Sequence, residues 1–178
     1  CAIILFIPVF IVVIYRVILM LYTISDFSRE YEGSVRLIAG SDGVSHAVSG
    51  IGILDYELMP GLKNKYQRVN FTSDEIVLST FLYAKDDPYL ITEAVKYLVA
   101  KGTSGLLIKN VLHIPIPDQA IRYANARHYP VFLTTDDSLF FDSVIYEVKR
   151  HIEQLASIDF AQREIDALRT DVSPESIC

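Results

Sequence analysis

Between Glu75 and Asp136 short apolar runs alternate with amphipathic stretches. The runs are Glu75-Ile-Val-Leu-Ser-Thr80, Gly105-Leu-Leu-Ile-Lys109 and Val131-Phe-Leu-Thr134. Leu90, Ile91, Ala94, Val95 and Leu98 recur with helical spacing behind Asp87-Pro88, and Gly102 ends that helix. Pro117 opens a second helix with Ala120, Ile121 and Ala124 inward, and Arg127 and His128 precede Pro130 at its negative end. Parallel strands need helical crossovers and are buried on both faces. The pattern therefore predicts an α/β fold: a small, mostly parallel or mixed sheet covered by helices.

On either side the pattern is less regular. Thr23–Glu32 reads as a helix with Thr23 or Ser25 as N-cap and Gly33 at its end. Val35–Ala39 and Ala47–Leu54 read as strands joined by the turn Gly40–Gly43 and are expected to pair. Tyr56–Ser73 has no period and reads as a long loop, either a lid or a tolerated surface insertion. Asp136, Asp137 or Ser138 is expected to cap a last helix with Phe141, Val144, Ile145, Val148, Ile152 and Leu155 inward. Its apolar face loses register near Asp159, and Ile165 and Leu168 imply a separate short polar helix ending at Ser173-Pro174.

The N-terminal stretch is apolar from Ala2 to Tyr15, with Pro8 inside it, and again from Val17 to Tyr22 after Arg16. Residues 2–22 approach the roughly 20 residues that span a bilayer, and Arg16 on the C-terminal flank would leave the following domain in the cytoplasm. A buried strand-rich segment is a second reading. A third is that Met20 is the true start and residues 1–19 are an upstream translation artefact. The expected organisation is an apolar segment at 1–19, one domain at 20–155 and a linker helix at 156–178, in a cytoplasmic or membrane-anchored protein. Cys1 in place of an initiator Met and an end at Cys178 suggest a fragment, with an output activity encoded elsewhere.

The chain has 178 residues, 51% apolar, enough for one well-buried core. Its formal net charge of -6 gives no basic face, so direct nucleic-acid contact by this domain is not expected. Two cysteines at opposite ends form no CxxC, and His46, His113, His128 and His151 fall in no metal-ligand spacing. Gly50-Ile-Gly52 lacks a third glycine and a helix after it, and no GxxxxGK[ST] or GxSxG occurs. No cofactor, metal or catalysis is expected. In open parallel sheets ligands bind outside the carboxyl ends of the strands, which here carry Ser79 and Thr80, Lys109 and Asn110, and Thr134, Thr135 and Asp136. Donors and acceptors without a nucleophile–base pair suit binding a small polar molecule; the same residues could also be ordinary turn and cap residues.

Met20-Leu-Tyr-Thr-Ile-Ser-Asp26, Leu37-Ile-Ala-Gly-Ser-Asp-Gly43, Glu75-Ile-Val-Leu-Ser-Thr80, Lys85-Asp-Asp-Pro88, Ala100-Lys-Gly102 and Gly105-Leu-Leu-Ile-Lys109 together resemble the N-terminal sensory domain of PucR-type purine catabolism regulators. The resemblance covers about Met20 to Leu155. It implies a bacterial transcription regulator in which this domain senses a small effector, a purine-pathway metabolite, while DNA binding lies in a part absent from this chain. It places the helix from Ser138 onward as the connection to that part, and a homodimer is expected from that long helix. Two positions depart from the pattern: Asp74 and Phe81 stand where such domains carry glycine. A more distant resemblance is to the substrate-binding N-terminal domains of Mur ligases, and a membrane-anchored interaction module is a third alternative.

Overall fold

The computed structural model describes residues 21–55, 58 and 70–171. The apolar segment 1–19, most of the Tyr56–Ser73 loop and the chain beyond Asp171 lie outside the described residues. Strands β1 (Arg36–Ala39), β2 (Gly50–Ile53), β3 (Glu75–Ser79), β4 (Gly105–Lys109) and β5 (Val131–Thr134) form one sheet in the order β1-β5-β4-β3-β2. β2, β3, β4 and β5 are parallel, and β1 runs antiparallel to β5. Helices α1 (Ile24–Glu30), α2 (Tyr89–Lys101), α3 (Asp118–Ala126) and α4 (Phe141–Asp171) cover it.

Strand side chains alternate between two cores, as the period of a strand demands. Val77, Leu106, Ile108 and Val131 pack with Ile91, Val95 and Leu98 of α2 and Ala120 and Ala124 of α3. Ile76, Leu78, Leu107 and Phe132 face the other way, onto Ile24 and Phe27 of α1 and Val144 and Val148 of α4. The result is three layers, with both crossover helices on one face. Each fully buried large side chain contributes about 1.5–3 kcal/mol, so the sheet's central strands carry most of the driving force.

Local signals act where expected. Thr23 is the N-cap of α1 in a complete capping box with Asp26. Gly102 ends α2 in the left-handed conformation. Asp74 and Phe81, the two residues standing for glycine, have φ of +64° and +51°. Both backbones take the left-handed conformation that favours glycine, and Phe81 turns its ring into the core at 1% exposure.

Two expectations are corrected. β1 and β2 do not pair; they are the two opposite edges of the sheet. The chain between them crosses beneath the N-terminal ends of the parallel strands. Gly40 and Gly43 press on Tyr129 and Pro130 before β5, Ser104 Oγ before β4 donates to Ala47 O, and Ser49 N donates to Asp74 O before β3 at 2.7 Å. Residues 44–48 pair with the segment that enters α1 and with its first turn, with Val48 N to Tyr22 O and Ser25 N to Val44 O both 2.7 Å. The last helix is also different: it begins at Phe141, beyond the expected caps, and runs unbroken for 31 residues through Asp159.

Gly40 has φ +71°, and a Cβ there would lie 2.0 Å from Tyr129 O, whereas Gly33, at φ +91°, has open space around it. Gly33→Ala is expected to cost about 1–2 kcal/mol, the left-handed strain alone. Gly40→Ala adds a backbone collision and should cost more than about 4 kcal/mol, in the range reserved for a named structural defect. Urea denaturation of both variants measures the difference; equal losses would mean that the close approach is not what glycine serves at position 40.

Candidate functional site

At the tip of β3, Ser79 is fully buried and its Oγ accepts Phe81 N at 3.1 Å, holding the turn that carries the left-handed Phe81. Thr80 beside it is half-buried. At the tip of β4, Lys109 Nζ donates to Asp137 O at 3.1 Å and Leu139 O at 2.8 Å, and it lies 5.2 Å from the centre of the Phe140 ring. Asn110 is buried, and its amide closes a loop in both directions: Nδ2 donates to Ile114 O and Oδ1 accepts Ile114 N, both at 2.8 Å. Ser79 and Asn110 spend their polar atoms on the turns that follow their own strands, and Lys109 on the loop that follows β5.

The tip of β5 differs because β1 runs alongside it. Thr134 Oγ1 donates to Ser34 O at 2.7 Å and accepts Asp136 N at 3.1 Å. Asp136 Oδ1 accepts from Ser138 N at 2.9 Å and from Ser138 Oγ at 2.6 Å. Those two bonds hold its carboxyl below the usual aspartate range, and the Lys109 ammonium adds to the effect. Between Gly33–Arg36 on one side and Leu133–Asp136 on the other lies a polar cleft of about 360 Å³. Thr134, Thr135 and Asp136 line it; Ser79, Thr80, Lys109 and Asn110 do not.

The position of the cleft follows from topology. β2 to β5 advance across the sheet in one direction, with both crossover helices on the same face, so no reversal of strand order opens a crevice among them. The one change of direction is at β5 and β1. Ser34 and Arg36 are thus wall residues that sequence reasoning missed. Their signal was hidden by the expected pairing of β1 with β2, which would have placed them at the far edge.

Two larger cavities, of about 440 and 400 Å³, open beside Leu21 and Tyr22 along α4 and are mainly apolar. Glu30 and His151 line the first, and together with Glu147 each brings a ligand atom within 4.8 Å of the others. All three already have partners. His151 Nδ1 is 3.1 Å from Glu30 Oε2, Tyr22 OH donates to the same oxygen at 2.7 Å, and Glu147 pairs with Arg150. Burial, reinforced by the Glu30 carboxylate, pushes the Tyr22 phenol well above its ordinary pKa, so it remains a donor. The group ties α1 to α4. His46 reaches Ser104 O at 3.4 Å and His128 reaches Asp42 at 3.3 Å. Both contacts fasten the edge-crossing segment and its neighbour.

Fold and site together define a three-layer α/β domain with a polar cleft at one strand-tip crevice and a long helix leaving the opposite layer. The chain belongs to the purine catabolism regulatory protein-like (PucR) family, whose model matches residues 28–152, from within α1 to the middle of α4. The resemblance drawn from the sequence is therefore correct, and the family is one of regulatory proteins. No curated protein matches the chain. Among the described residues no helix is long and apolar enough to cross a membrane.

Removing the buried amide in Asn110→Ala leaves Ile114 N–H and C=O unpaired and is expected to cost about 1–3 kcal/mol by denaturant titration. A cost near zero would show that the loop closes without it. Ser138→Ala should raise the Asp136 pKa toward the ordinary value, read from its carboxyl carbon in an NMR titration. Because the folded-state pKa is depressed, the small stabilisation from this group is present above the ordinary carboxylate value and is lost as pH falls through the folded one. An unmoved midpoint in the variant would assign the depression to another group.

Proposed function

We propose that this domain is the metabolite-sensing part of a bacterial regulator of purine catabolism, and that its effector enters the cleft between β5 and β1. The observation that carries this reading is the placing of Arg36 across from Thr135 and Asp136 around about 360 Å³ of polar space. That volume lies at the lower end of the roughly 300–1,000 Å³ of small-molecule sites. A cationic donor facing hydroxyl and carboxylate acceptors suits a flat, polar molecule with donors and acceptors along its edges, as a purine or its degradation products have. Ser79, Thr80, Lys109 and Asn110 shape the adjoining turns in this reading. The effector is bound and released unchanged. Contact with DNA falls to another part of the regulator, in keeping with the net charge of -6 on this chain.

A thermal-shift screen of purine bases and ureides against the chain tests the proposal. A ligand that binds only the folded form adds about 2.7 kcal/mol at 100 times its dissociation constant, so a true effector raises the melting temperature. Arg36→Ala and Thr135→Ala, both at exposed positions, should abolish the rise and leave the unliganded melting temperature nearly unchanged. A panel without any stabilising compound would sink the sensor reading. A rise that survives both variants would move the site away from this cleft.

A further inference from the structure

Glu147 and His151 stand four residues apart on α4 and therefore share one face of that helix, the face that meets Glu30 at the end of α1. One ligand atom from each of the three lies within 4.8 Å of the other two. His151 Nδ1 and Glu30 Oε2 are 3.1 Å apart. Two ligands of one tetrahedral zinc, each at about 2.0–2.1 Å, are about 3.4 Å apart, so that pair is already spaced as two ligands of one ion. The hydrogen bonds made by the carboxylates leave an oxygen free on each. Tyr22 OH donates to Glu30 Oε2, and Arg150 donates through Nε and Nη2 to Glu147 Oε2. Among the described residues, Glu30 Oε1 and Glu147 Oε1 accept nothing.

A second observation comes from Tyr31, whose hydroxyl is buried and has no hydrogen-bond partner. Burial first, and then the Glu30 and Glu147 carboxylates, push this phenol above its ordinary pKa, which sets it beside both acids. Buried hydroxyls are nearly always paired, so this one calls for a bound water or ion. The cavity of about 440 Å³ lined by Glu30 and His151 supplies an entry path and room for water. We infer that Glu30, Glu147 and His151 bind a divalent cation of the zinc type, with water from the cavity at its fourth position. One imidazole and two carboxylates suit such an ion, whereas Mg²⁺ and Ca²⁺ take sets of oxygen ligands. Two carboxylates and the Arg150 guanidinium sum to a negative site, so the cation is attracted. Tyr22 and Arg150 hold the outer oxygens of the two carboxylates, as hydrogen-bond partners of metal ligands do. Arg150 Nη2 lies 3.4 Å from His151 Nε2, beyond ordinary hydrogen-bond length, and swings clear when the ring takes the ion at Nδ1. The cation clamps α1 to α4. Its site shares no residue with the β5–β1 cleft and does not rest on the effector reading.

The test is a titration of the full, metal-stripped chain with Co²⁺ and Zn²⁺, after Cys1→Ser and Cys178→Ser have removed the thiols as competing ligands. One equivalent of Co²⁺ should give the visible absorption of a four-coordinate site, Zn²⁺ should abolish it, and excess Mg²⁺ should not. Zn²⁺ should also raise the melting temperature, since it binds the folded form. Glu147→Gln and His151→Gln should each weaken binding by at least about 10-fold. Glu147→Gln keeps the size of a half-buried side chain, so it serves as the test if His151→Gln fails to fold. His113→Gln, in an exposed loop away from the cluster, should change nothing. Absence of both the absorption and the zinc-induced shift overturns the inference. Binding that survives Glu147→Gln and His151→Gln, or is lost in His113→Gln, places the ion elsewhere and overturns it too, and displacement of Co²⁺ by Mg²⁺ overturns the class of cation.

Discussion

The arrangement of the sheet depends on one close approach. At Gly40 and Gly43 the chain lies directly against the backbone of His128, Tyr129 and Pro130, with no room for a side chain on either residue. Asn125 Oδ1 fixes the turn by accepting Gly40 N at 2.7 Å. This contact sends the chain beneath the N-terminal ends of β5, β4 and β3 instead of letting it fold straight back. β1 is left at one edge beside β5, and β2 is delivered to the other beside β3. The two edges, the one antiparallel pairing and the crevice beside it all follow from a turn with no space in it.

What could be read from the residues alone divides along the same line. The segment Glu75–Asp136 was legible almost throughout, because each strand there is joined to the next through its own helix, and apolar period, proline starts and Gly102 all point the same way. The α1 cap at Thr23 was legible for the same local reason. The partner of β1 was not: Gly40-Ser-Asp-Gly43 has the composition of a hairpin turn, and nothing local reports that its glycines are needed for contact with residues almost ninety positions away. Continuity of α4 was missed because the apolar stripe shifts near Asp159, where the helix stops facing the sheet; a change of environment looked like a change of element.

The strand tips show how the same chemistry can serve two purposes. Ser79, Lys109 and Asn110 are the donors and acceptors expected at a ligand-binding edge, and each is bonded to the backbone of its own turn or of the loop beside it. Burial explains why: inside the domain an unpaired amide or hydroxyl is costly, so the loops are built to satisfy it. At β5, where the segment entering β1 runs alongside, Thr134, Thr135 and Asp136 line an open cleft. A search by residue type finds all of these tips alike. The direction of one neighbouring strand separates them.

α4 contains neither glycine nor proline along its 31 residues. It therefore lacks the residues that most often cause a sharp kink. Its exposed half from Ser157 to Asp171 is about 22 Å long at 1.5 Å per residue, so tilting the base by about 5° carries the tip about 2 Å. The loop that leads into this rod starts at Thr134 and Asp136, which line the polar cleft, and is gripped by Lys109. Any tilt at the base of α4 is displayed enlarged at its far end, because displacement grows with distance along a helix.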